Sequence, residues 1–116
     1  MEAKAIARFI RMSPRKVRLV VDQIRGRSVN EAYALLKFSK KAAAVPVGKT
    51  LRSAVANAQQ KGEAQGEILD ADDLIVREAY VDEGPTLKRF KAAAMGRAAP
   101  RRRRMSHITI VVDTEE

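Results

Sequence analysis

Residues 74–112 read LIVREAYVDEGPTLKRFKAAAMGRAAPRRRRMSHITIVV, and this stretch decides the fold. Its two ends, Leu74–Val81 and Ile108–Val112, are rich in β-branched residues and read as strands. Between them, residues 84–107 carry eight Lys or Arg and no acid, with five alanines and one large aromatic, Phe90. This insert has neither a 3.6-residue nor a two-residue apolar period, so it has little hydrophobic surface with which to fold by itself. Two strands bracketing such an insert predict a hairpin whose tip reaches far beyond its sheet. Eleven residues per arm at about 3.3 Å each give about 35 Å. Gly84-Pro85 and Gly96 are turn signals, the second placed where the tip must reverse.

Working toward the N-terminus, residues 63–83 hold eight acids and a single Arg, and residues 1–62 hold fourteen Lys or Arg against three acids. The whole chain of 116 residues reaches a net charge of +9, and its charge comes in blocks of one sign rather than mixed. Such blocks attract polyanions over long range. With no cysteine and one histidine, disulfides, thiolate metal sites, cysteine nucleophiles and multi-histidine cages are excluded. No enzyme, cofactor or metal is expected. Asp70, Asp72 and Asp73 resemble half a metal site, but without the glycine and distant glutamate of a calcium loop they read as a solvated acidic loop. No apolar run approaches the roughly 18 residues of a membrane span, and the first residues lack a signal peptide's apolar segment. Cytoplasmic residence follows as the expectation, with no membrane partner and no homo-oligomer.

The remainder reads as a small α+β domain spanning residues 1–116, with residues 84–107 as its protruding basic arm: three helices on a small three-stranded antiparallel sheet. Ala3–Arg11 is a strand with Ala3, Ala5, Ala7 and Phe9 on one face. Ser13-Pro14 starts a helix whose stripe is Val17, Val20, Val21 and Ile24, stopped by Gly26. Ser28 to Glu31 has capping-box spacing, with Val29, Ala32, Tyr33 and Leu36 as the next stripe, and Tyr33 reads as core. A third helix over about 41–60 turns Val47, Leu51, Ala54, Val55 and Ala58 inward, with Pro46 in its first turns or at a kink. Nineteen alanines and five aromatics make a thin core.

The candidate nucleic-acid contacts are the cations. Arg101, Arg102, Arg103 and Arg104 are four adjacent planar forks suited to phosphate oxygens. Arg11, Arg15, Lys16, Arg18 and Arg25, with the capping Ser13, form a face interrupted only by Asp22, where a solubility face would mix signs. Lys88, Arg89, Lys91 and Arg97 complete the arm, and His107 reads as structural or RNA-contacting rather than as a general base. Phe90 could stack on a base or pack on protein. A long arm of small residues and cations suits the irregular crevices of folded RNA better than a DNA groove, and it is expected to gain its order by binding.

The stretch SPRKVRLVVDQIRG (Ser13–Gly26), the pair Ser53-Ala54 with Ala56-Asn57-Ala58, the run Tyr80 to Arg89, the Gly96-Arg97-Ala98 tip and Ser106 to Val112 closely resemble bacterial large-subunit ribosomal proteins of the L-twenty-two family, in order and spacing. That resemblance implies an α+β domain seated on large-subunit ribosomal RNA, active early in assembly beside neighbouring ribosomal proteins. It also implies a hairpin lining the nascent-peptide exit tunnel, with Ala92, Ala93, Ala94, Met95, Gly96 and Arg97 at its tip. Lys88, Arg89, Gly96 and Arg97 would belong to the arm, and Arg103, Arg104, Ser106 and His107 to its return strand. The chain departs from the family in Ala92-Ala93, where a Pro-Arg pair is common, and in the unbroken arginines after Pro100.

Overall fold

A computed structural model describes residues 2–114 apart from Ala93 and Arg97. Among them the chain forms three strands and three α-helices: β1 (Ala3–Ile10), α1 (Pro14–Ile24), α2 (Val29–Phe38), α3 (Ala44–Ala64), β2 (Leu74–Ala92) and β3 (Ala98–Thr114). The strands make one antiparallel sheet in the order β1-β3-β2, so the strand that comes last in the chain lies in the middle. This is the expected α+β architecture.

Each helix forms for a local reason and then buries one stripe. The Ser13 hydroxyl accepts the Lys16 N–H at 3.4 Å with Pro14 in the first turn of α1. Beyond α1, Gly26 adopts φ +79°, the left-handed conformation that ends helices and that glycine takes without strain. Ser28 caps α2 through the Glu31 N–H at 3.3 Å. Pro46 falls in the first turn of α3, where its missing N–H leaves no helical bond unmade. The helix starts three residues later than expected and runs on to Ala64.

Val17, Val20, Val21, Ile24, Val29, Val47, Leu51, Val76, Ile108, Ile110 and Val112 are fully buried in one core. Tyr33 packs against it, and burial pushes its phenol up, with the Arg52 charge opposing. Within this core α1 lies against β2 and α3 against β1.

Three bulges shape the sheet. Arg8 and Phe9 together face His107, because pairing passes from Ala7↔Ile108 to Ile10↔Ser106. The extra residue shifts the alternation, so Ile10 packs on the core and Phe9 is expelled, 60% exposed with φ +58°. Phe9 therefore does not share the inward face of Ala3, Ala5 and Ala7, contrary to the simple alternation. Arg77 is the extra residue of a second bulge. The third corrects the turn read at Gly84-Pro85. These residues stand inside β2, two opposite Met105 alone, between the pairs Glu83↔Ser106 and Thr86↔Arg104. Ladder pairing on both sides outweighs the local turn preference, and a bulge on an outer strand tolerates a proline without N–H. The reversal comes at the tip, where Met95 and Gly96 have φ of 62° and 72°.

Candidate nucleic-acid interface

Beyond Ile10↔Ser106, β3 has no neighbour but β2, and the hairpin continues as a bare two-stranded ribbon from Thr86↔Arg104 to Ala92↔Ala98. Its length makes the molecule 67 Å long and only 27 by 16 Å across. Side chains directly opposite in a ladder share a face, and faces alternate along each strand. Counting back from buried Ile108 and Ser106 puts Arg104 and Arg102 on the helix side, with Lys88 opposite Arg102. Arg103, Arg101 and Arg89 take the other face, Arg89 opposite Arg101. Cations thus cover both faces of the ribbon.

Lys88, Arg89 and Arg101–Arg104 are all exposed, and among the described residues no carboxylate pairs with them. The Arg89 guanidinium donates to the neighbouring Lys88 carbonyl, at 2.9 Å. Phe90 is 74% exposed opposite Pro100 and does not pack on the domain. Lys91 stands opposite Ala99, Ala92 opposite Ala98, and Ala94, Met95 and Gly96 form the turn at the tip, with Met95 fully in solvent. The candidates Ala93 and Arg97 lie outside the described residues.

Where the ribbon leaves the domain, a cleft of about 700 Å³ opens between it, the start of α1 and the segment leading into α3. Arg11, Lys16, Lys41, Arg102, Arg103 and Arg104 line it, Met12, Leu19 and Met105 floor it, and no carboxylate reaches it. Sequence reasoning missed Lys41, which belongs to no motif and joins the others only through the fold. Ser13 borders the same cleft as the cap of α1, and Arg15 is exposed beside it.

Arg18 and Arg25 have a different engagement from the outer arginine face that their spacing predicts. Arg18 gives Nε and Nη2 to the Val81 carbonyl at 3.3 and 2.9 Å. Arg25 gives the same two atoms to the Ala79 carbonyl at 2.9 and 2.6 Å, with Asp22 at 2.9 Å from its Nη2. Both clamp the free edge of β2, which the loop after α1 already covers further back through Gly26 N–H to Val76 and Val76 N–H to Arg27. On the opposite edge Asn57 donates to the Lys4 carbonyl at 3.0 Å and Lys61 to that of Glu2 at 2.8 Å. Helix-borne donors therefore blunt both sheet edges, which unpaired would invite strand addition.

His107 is half-buried, and its Nδ1 accepts the Phe9 N–H at 3.0 Å. A nitrogen that accepts leaves the ring proton on Nε2. Asp72 accepts from the Asn30 side chain, which ties the acidic loop to α2.

A ribbon clad in cations on both faces, growing from a small α+β body, has the build of a structural protein with a charged arm and no catalytic constellation among the described residues. The chain matches the family model described as Ribosomal protein L22p/L17e over residues 5–113. It is 57% identical over 116 residues to the large ribosomal subunit protein uL22 of Bifidobacterium longum, covering 100% of this chain and 98% of the relative. To the protein of the same name from Desulfitobacterium hafniense it is 60% identical over 111 residues, covering 96% and 93%. The chain belongs to this family of ribosomal proteins.

Proposed function

We propose that this protein, a structural and non-enzymatic constituent of the large ribosomal subunit in the cytoplasm, binds that subunit's RNA through the arm and the cleft at its root. The observation that supports this is the presence of cations on both faces of the ribbon with no carboxylate partner among the described residues. A protein lying on the outside of a duplex needs charge on one side only; a ribbon charged on both suits a crevice with phosphates around it. Neighbouring ribosomal proteins complete the surroundings. An early role in assembly fits a ribbon that has no core of its own and gives folding RNA something to close around. A slender arm ending in small residues and an exposed Met95 suits the wall of the nascent-peptide exit tunnel.

Binding to a transcript of the large-subunit ribosomal RNA, titrated with salt, tests the RNA reading. Affinity should fall steeply with salt as counterion release weakens, and plain duplex DNA should compete poorly. Equal preference for the duplex overturns it. For the tunnel, a photo-crosslinker in place of Met95 should capture nascent chains on translating ribosomes, and no capture there overturns that placement.

A further inference from the structure

We infer that Phe9 and His107 form a stacking seat for one unpaired nucleobase at the root of the arm, an inference that rests on the RNA-binding reading above. The first observation is strain. A bulky aromatic residue rarely adopts positive φ, and such outliers persist where surrounding structure enforces them, often at binding sites. Here the enforcement is visible. The Phe9 N–H is held by His107 Nδ1 at 3.0 Å, and the two rings meet edge to face with centroids 5.1 Å apart at 89°. The bulge brings Ile10 onto the core and leaves the Phe9 ring outside it, held in solvent against His107.

The second observation is the setting. Phe9 walls a groove of about 480 Å³ between β1 and the first turns of α3, floored by Ile6, Val45 and Pro46. Arg11 and Lys49 rim it, and no carboxylate does. An aromatic wall and an apolar floor under a cationic rim match a base with its phosphate, because any base has a π-face to stack while the cations take the backbone. An apolar protein side chain would use the floor and leave the rim cations unmatched.

The test uses the full chain, a transcript of the large-subunit ribosomal RNA, and inorganic polyphosphate as a probe with charge but no bases. Phe9→Ala and Phe9→Gly should weaken RNA binding about tenfold at every salt concentration with an unchanged salt slope, while Phe9→Tyr stays within about twofold. Polyphosphate binding should not change. Glycine takes the left-handed conformation freely, so Phe9→Gly should melt no lower than the parent, which separates lost contact from lost fold. RNA binding by Phe9→Gly equal to the parent's, or an equal loss toward polyphosphate, overturns the seat. Failure of the parent itself to bind the transcript overturns the broader reading instead.

Discussion

Lys88 and Arg102 stand directly opposite each other on one face of the arm, and Arg89 stands opposite Arg101 on the other. Opposed like charges weaken a ladder that has no third strand beside it. The cost disappears once phosphate lies over each face.

Reversing one of these charges should therefore separate the arm's own stability from its function. With Lys88→Glu the pair becomes attractive, stabilising the ribbon by about 0.2–1 kcal/mol. Amide hydrogen exchange of Lys88 to Lys91 and of Arg101 to Arg104 in the free protein should slow, while RNA affinity falls and its salt dependence becomes shallower. Tighter RNA binding by this variant would contradict the arrangement.

The two roles of arginine around α1 can be told apart. Removing the Arg25 clamp by Arg25→Leu takes two charged donors from the Ala79 carbonyl. Discounted for a half-exposed side chain, this costs about 1–2 kcal/mol. Thermal unfolding should come about 5–10 °C earlier for a domain of this size. Arg15→Ala, with no ion pair to lose among the described residues, should leave the melting temperature in place and weaken RNA binding.

Gly84 is fixed by contact rather than by its backbone angle. A Cβ there would lie 3.2 Å from the backbone and Cβ of Met105, the residue that its bulge surrounds. Gly84→Ala should destabilise the domain by about 1–3 kcal/mol through overpacking, read by denaturant unfolding. Gly66→Asn, in a loop where a new side chain meets nothing and φ is +78°, should cost much less.

Leu51→Ala empties a fully buried position, at about 2–5 kcal/mol. The transcript at about one hundred times its dissociation constant should return about 2.7 kcal/mol, since only the folded form binds. Melting curves with and without RNA check both halves. A variant that RNA does not rescue would show that the domain and the interface are uncoupled.

The helical stripes, the caps at Ser13 and Ser28, the stop at Gly26 and the long hairpin were legible because each rests on residues close in sequence. Phe9, Arg18 and Arg25 were not. Their surroundings are set by β2 and β3, which lie 54 to 98 positions away, through a bulge and a clamped edge that alternation cannot foresee. Arg18 sits on the polar side of α1 by period, yet that side meets the edge of β2 once the sheet is in place. Gly84-Pro85 misled for the same reason: a local turn preference yielded to pairing fixed on either side. Among the candidate contact residues, the arm's cations were plain from composition, while the gathering of Lys41 with Arg11 and Arg104 exists only in three dimensions.

The position of β3 has a consequence for how each copy is made. Because the last strand in chain order fills the middle of the sheet, β1 and β2 have no edge in common to zip along until Ile108, Ile110 and Val112 arrive. Helices can form during synthesis, but closure must wait for β3 to clear the translating machine. A nascent copy thus stays unfinished until β3 is made, with its cations uncovered to any RNA nearby.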